Sequence, residues 1–193
     1  MTIDKPHAVE LSRRDVLLEV AADLFLHNSY DTVTVDMVCA KAGISGPGLY
    51  RHFQNKQALL IAVVEKGLGS LHQFAAETVE SEPDPRAALE RMVDFHLRSV
   101  ITSPPTPLIF MKNEHAFPAA EHRRIRREMN RYAEEWISVL AQLRPDLAEP
   151  EVRLLTHSVF SMLNAVASLN KGLDKESIIH TMSRAAINAL TLP

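Results

Sequence analysis

From Val16 onward, apolar side chains return at intervals of three and four residues, and no run alternates as a half-buried strand would. That periodicity restricts the chain to helices packed on helices, an all-α fold of about nine helices. Val16, Leu17, Val20, Ala21, Leu24 and Phe25 make the first stripe. Ser12, with Asp15 three residues on, has the form of a capping box in front of it. Thr34, Ser45 and Asn55 are the next candidate N-caps. Gly43 supplies a turn that a branched residue would resist. Pro47 suits the first turn of a third, very short helix, where the missing N–H has no acceptor to lose. Ser81–Pro85 and Ser103–Pro107 are breaks, and Leu108–Phe117 reads as one short helix between breakers. A long helix is expected over about Ala119–Leu143, another from Glu149 to Gly172, and a last from Asp174 to about Leu190. Gly67 and Gly69, inside the fourth helix, suggest a bend.

The expected organisation is an arm over 1–11, a three-helix unit over 12–56, a connecting helix over 57–82 and a larger helical unit over 83–193. The formal charge of -3 gives no global attraction to polyanions. The first 56 residues hold six Lys or Arg against seven Asp or Glu, so any contact with nucleic acid has to come from local arrangement. One cysteine, Cys39, leaves no internal disulfide framework and fits a reducing compartment. The opening residues have charges and a proline but no apolar core, so no secretory leader is expected, nor any membrane span. A cytoplasmic protein without a membrane partner is the expectation.

Three short helices with a glycine turn between the second and third form a helix-turn-helix pattern. The spacing of Ala22, Leu24-Phe25, Tyr30, Thr34-Val35, Val38, Ala42-Gly43-Ile44-Ser45, Leu49-Tyr50, His52-Phe53, Lys56 and Leu59-Leu60 resembles the DNA-binding domain of the TetR family of bacterial repressors. Ser29 stands where that family usually has glycine, Gly46 where lysine is frequent and Gln57 where an acid is usual. The resemblance implies a homodimeric regulator that binds near-palindromic double-stranded operator DNA and is released by a small-molecule effector. It implies no enzymatic activity, cofactor or metal.

The candidate DNA-contacting residues are Thr34, Lys41, Ser45, Gly46, Pro47, Gly48, Tyr50, Arg51, His52 and Lys56. Polar tips at Tyr50 and His52, charge at Lys56 and the hydroxyl of Thr34 suit phosphate contacts. Arg51 suits a base or a phosphate, and Pro47 a thymine methyl. Gly46 and Gly48 would let the backbone approach the groove closely, leaving much of the selectivity to DNA shape. Taken without its flanks, Gly46-Pro47-Gly48 reads equally well as a plain loop.

In the second half, the last two helices are the expected dimer face, through Leu155, Val159, Leu163, Val166, Ile178, Met182, Ala185 and Ala189. The competing reading is that these positions fill the chain's own core. The expected effector pocket lies among Phe95, Leu108, Ile109, Phe110, Phe117, Trp136, Phe160 and Asn164. The stretch from Pro107 to Leu147, with His157–Asn164, looks like the sensor half of an actinobacterial TetR subgroup linked to acyl-CoA and lipid catabolism. That likeness implies an apolar, acyl or acyl-CoA effector. Arg123, Arg124, Arg126, Arg127 and Arg131 would then suit CoA phosphates, although such a run more often forms a solvated face paired with acids. His96, Glu114, His115 and His122 lack metal-binding spacing and read better as hydrogen-bonded side chains. Two other classes remain on the sequence: a helical ligand-binding protein or enzyme without DNA binding, and a regulator controlled by a protein partner.

Overall fold

The computed structural model describes residues 12–169 and 172–192. The arm expected over 1–11 lies outside them. Nine α-helices and one 3-10 turn occur among the described residues: α1 (Arg13–His27), α2 (Val35–Ala42), α3 (Gly46–Tyr50), α4 (Lys56–Ser81), α5 (Pro85–Thr102), α6 (Thr106–Lys112), α7 (Ala119–Leu143), α8 (Glu149–Leu169) and α9 (Lys175–Thr191). No strand is found among these residues.

The starts of these helices follow from side chains that satisfy first-turn N–H groups. Ser12, Thr34, Ser45, Asn55, Asp84 and Asp174 each accept such a bond. Gly43 ends α2 at φ 64°, in the left-handed region where a Cβ would be strained. Residues 108–117 are not one helix. α6 stops at Lys112, and a 3-10 turn over Glu114–Ala116 follows. The cause is Asn113: its fully buried amide nitrogen donates to the Ile109 carbonyl at 2.8 Å and to the Phe25 carbonyl at 3.1 Å. These bonds turn the chain and hold it against α1.

Two apolar cores build the molecule. The first is formed by α1–α3 and the start of α4, with Leu17, Phe25, Leu49 and Leu60 buried, and it also takes in Ile109, Phe110, Phe117 and Ile125. The three-helix unit therefore shares its core with α6 and α7. The second core joins α5, α7, α8 and α9 around Leu97, Trp136, Leu140 and Leu163.

α4 belongs to both cores and runs unbroken from Lys56 to Ser81. Gly67 does not interrupt it. A Cβ at Gly67 would lie 1.8 Å from Thr106 Oγ1, so this glycine lets the start of α6 lie directly on α4. A Cβ at Gly69 would meet nothing within 4 Å. One of the two glycines thus serves a close helix crossing.

Candidate nucleic-acid interface and effector cavity

α2 and α3 pack on one another at one end of the molecule. The Thr34 hydroxyl accepts from Met37 N at 3.1 Å, and the Ser45 hydroxyl accepts from Gly48 N at 3.3 Å. Leu49 and Phe53 are buried beneath α3, which leaves Pro47, Tyr50, Arg51 and His52 exposed. Tyr50 has 55% of its surface open, an unusual position for an aromatic ring unless something covers it. Arg51 caps the C-terminus of α3 and so stands just beyond the helix. The two glycines differ. A Cβ on Gly46 would point into open space, whereas one on Gly48 would lie 2.9 Å from Ile44 Cγ2. The bareness of Gly48 thus has a reason inside the fold, and that of Gly46 has none.

Lys56 and Lys41 are placed differently from the expectation of free cations. Lys56 Nζ donates to the carbonyl oxygens of Tyr30 at 2.7 Å and Val33 at 2.8 Å, and lies 4.1 Å from the centre of the Tyr30 ring. Two of its three donors hold the α1–α2 turn against the start of α4. Lys41 pairs with Asp23 of α1, and this bond holds the Asp23 carboxyl below its usual pKa. Arg14, not among the residues the motif marks, is exposed and lies 5.3 Å from the Phe53 ring. Only the fold brings the start of α1 to this surface.

A cavity of about 390 Å³ lies where α1 meets α4, α5, α6 and the proline-rich connection between the last two. Leu18, Glu19 and Ala22 of α1 line one side, and Gly67, Pro104 and Ile109 line others. A smaller space of about 260 Å³ lies beyond Ser103-Pro104-Pro105, bounded by Asp23 and Leu26 of the same helix. Of the expected effector residues, Ile109 and Asn164 line the larger cavity. The other six do not. Phe95 stacks on Phe74 with centroids 3.8 Å apart. Phe110 packs against Phe117 in the first core, and Leu108 is half-buried on α6. Trp136 and Phe160 pack around His96 with centroid separations of 5.9 and 5.4 Å. Ser103–Pro107 reads in sequence as a break alone, whereas in the fold it is a wall of the cavity. Nothing local signalled that α1 would face it.

His96 is 2% exposed and reaches the inner end of this cavity. Its Nδ1 lies 3.2 Å from the Tyr132 hydroxyl and its Nε2 3.3 Å from Asn164 Oδ1. Burial lowers the pKa of His96 to about 4, against the weaker opposing effect of its bond to Asn164. Burial likewise pushes the Tyr132 phenol upward. Both groups are neutral near pH 7.

The same region is tied to α1 and to the start of α4 by polar contacts. Besides Asn113, Lys112 Nζ donates to the Leu26 carbonyl at 2.7 Å, and Gln57 Nε2 donates to the Ala116 carbonyl at 2.8 Å. Lys66, on the cavity wall, pairs with Asp15 of α1 at 2.7 Å.

On α8 and α9, Val159, Leu163, Val166 and Ile178 are buried in the chain's own second core. They are unavailable to a partner, because a helix packed on its own domain spends its most apolar stripe inward. Leu155 and Met182 are half-buried against that core, whereas Ala185 and Ala189 are exposed. The outer face of the pair carries Leu154, Ser158, Ser161, Ala165, Ala185 and Ala189.

Three of the five arginines of α7, Arg124, Arg126 and Arg131, have acid partners, and Arg123 and Arg127 have none among the described residues. Arg124 bonds Glu121 and Glu65, Arg126 bonds Glu114 at 2.9 Å, and Arg131 lies 3.6 Å from Glu128. None of these lines the larger cavity. His122 pairs with Glu114 and His115 with Asp31. No group of three His, Cys, Asp or Glu suited to a metal occurs among the described residues. No helix described is long and apolar enough to cross a membrane.

Comparison with known proteins gives two family matches. Residues 17–63 match the bacterial regulatory proteins of the tetR family, and residues 82–169 match the tetracyclin repressor-like C-terminal domain. The transcriptional activator FasR of Mycolicibacterium smegmatis is 33% identical over 43% of this chain and 40% of its own length. The transcriptional repressor KstR2 of Rhodococcus jostii is 30% identical over 66% of this chain and 63% of its own. The chain thus spans less than two thirds of these two relatives. The crystal structure of AibR in complex with isovaleryl coenzyme A and operator DNA superposes with a TM-score of 0.75 at 21% identity, covering 94% of this chain and all of that one. At that identity the likeness is one of fold.

Proposed function

The chain belongs to the tetR family of bacterial regulatory proteins, and from that premise we propose that it is a homodimeric transcriptional repressor released from a near-palindromic operator by a small apolar or acyl-type effector. The observation that carries this reading is the exposed set Tyr50, Arg51 and His52 at the end of α3, beside the N-terminus of α2 capped by Thr34. Such a surface suits α3 in a major groove with flanking phosphates held from both sides. Gly46 supports close approach of the backbone, and Pro47 offers an apolar edge. Arg14 joins the set as a phosphate contact. Lys56 acts chiefly by bracing the α1–α2 turn.

The dimer forms through the outer face of α8 and α9, where Ser158, Ser161, Ala165 and Ala185 let helices approach closely and Leu154 adds apolar area. Two copies of α3 would then lie about 34–36 Å apart, one turn of duplex. The effector occupies the larger cavity. Because α1 forms one of its walls, a ligand there pushes on the DNA-binding unit directly, while Asn113, Lys112 and Gln57 carry movement of α6 to the same unit. A ligand that prefers a splayed arrangement shifts the population away from operator spacing. AibR was crystallised with an acyl-CoA; here no arginine of α7 lines the cavity, which supports the acyl portion as the part received there.

Selection of duplexes from a genomic library at low salt tests this reading. Recovery of a site with twofold symmetry supports it. Failure to retain any duplex refutes it. A reporter placed behind the selected site reads the sign of regulation: expression should rise when the gene for this protein is deleted.

A further inference from the structure

The inner end of the larger cavity has a polarity that can be assigned atom by atom. Asn164 Oδ1 only accepts, so His96 Nε2 carries the proton in the contact between them. Neutral imidazole then leaves Nδ1 as an acceptor, and the Tyr132 hydroxyl donates to it. The chain of donors runs from Tyr132 through His96 to Asn164. It ends on the Asn164 amide nitrogen, which none of the hydrogen bonds among the described residues uses, although Asn164 lines the cavity. That amide N–H, in a half-buried side chain on the wall of a space lined by both hydroxyl-bearing and apolar residues, is free to donate to an acceptor on the ligand.

Charge narrows the class further. His96 is held neutral by burial, so no cation stands at this end. The cation on the wall, Lys66, is engaged by Asp15 at 2.7 Å. Glu19 also lines the cavity and disfavours a second anion. A carboxylate would lose its hydration here without gaining a counter-charge. Leu18, Ala22, Val63, Leu71 and Ile109 offer apolar wall to a hydrocarbon chain.

We propose that this cavity selects neutral carbonyl compounds with a medium-length alkyl chain, the carbonyl oxygen accepting from Asn164 Nδ2 and the chain lying toward α1. This rests on the effector reading above and adds its chemical class: a ketone or an acyl thioester is accepted, and the corresponding free acid is refused. Asn164 is the specificity-determining residue. His96 and Tyr132 fix which end of its amide faces the ligand.

The test uses the full chain without DNA. Trp136 is the one tryptophan and lies 5.9 Å from the His96 ring, so its emission reports occupancy, with calorimetry run in parallel. The probes are methyl heptyl ketone, S-ethyl octanethioate, octanoate, octanol and nonane at neutral pH. The ketone and the thioester should bind about three- to tenfold more tightly than nonane, the worth of one neutral hydrogen bond, and at least about tenfold more tightly than octanoate. In Asn164→Leu the advantage of the ketone over nonane should vanish while nonane still binds, which shows that the cavity is intact. The proposal is overturned if ketone and nonane bind alike, if octanoate binds best, or if none of the probes binds. Octanol bound more tightly than the ketone would mean that Asn164 presents its oxygen, and overturns it too. Persistence of the ketone preference in Asn164→Leu has the same consequence. Operator binding is scored separately by gel shift, so loss of the regulator reading and loss of this one give different results.

Discussion

Asn113 Nδ2 donates to the Phe25 carbonyl oxygen at 3.1 Å, fastening the end of α6 to the last turn of α1. The bond is fully buried and joins residues far apart in the sequence. Asn113→Ala should lower stability by about 1–3 kcal/mol, because the Phe25 carbonyl loses its side-chain donor in a dry site. Urea denaturation measures this. An unchanged midpoint would show that the strut carries no weight.

Gly67 and Gly69 should respond in opposite ways to the same substitution. Gly67→Ala places a methyl group on Thr106 and should cost about 1–3 kcal/mol through overpacking. Gly69→Ala has free space and should be neutral or stabilising by up to about 1 kcal/mol. Adding Thr106→Ala to Gly67→Ala should recover part of the loss. Thermal unfolding of the four proteins decides; equal effects at the two glycines would contradict the crossing.

Arg51 and Lys56 separate DNA contact from bracing. Arg51→Ala should weaken operator binding and reduce the slope of log affinity against log salt by about one, with the melting temperature unchanged. Lys56→Met should lower stability by about 1–3 kcal/mol, since the Tyr30 and Val33 carbonyls lose a charged donor. Melting curves and anisotropy titrations at several salt concentrations check both. A Lys56→Met protein that melts like the parent would restore Lys56 to the phosphate set.

His96 makes stability depend on pH. Its folded pKa is lowered from 6.5 to about 4, so below about pH 6.5 the unfolded chain takes up a proton that the folded chain refuses. Its contribution is complete above the unfolded pKa and is lost as pH falls toward the folded one. Between about pH 7 and 5 that loss comes to about 2 kcal/mol. Urea denaturation at the two pH values should show a larger fall in the parent than in His96→Gln. Equal falls would mean that His96 is not the group responsible.

The outer face of α8 and α9 can be told from the inner one. Leu154→Glu with Ala185→Glu should shift the protein from dimer to monomer with little change in the fold. Leu163→Ala should destabilise the chain by about 2–5 kcal/mol through a cavity in its own core. Sedimentation velocity and urea denaturation read the two effects; a stable dimer in the double variant would place the partner elsewhere.

Local rules made much of the fold legible. Ser12, Thr34, Ser45 and Asn55 cap the helices they precede because a short polar side chain there meets N–H groups with no other acceptor. Periodicity named the stripes of α8 and α9 but could not say which side faces a partner, since Leu163 and a true interface leucine look alike in sequence. Asn113 reads as an ordinary helix residue until Phe25 is brought beside it. The cavity was legible only at Ile109 and Asn164, because its remaining walls come from α1 and a proline connection distant along the chain. Lys56 stood in a DNA-binding pattern, and only the fold showed which carbonyls hold it.

Hydroxyl-radical footprinting of the selected duplex tests the central claim most directly. Two protected tracts related by a twofold axis, centred about one helical turn (34–36 Å) apart and needing a higher protein concentration with Arg51→Ala, are predicted. A single tract, or protection at an unchanged protein concentration in Arg51→Ala with Tyr50→Phe, would contradict the placement of α3 in successive major grooves.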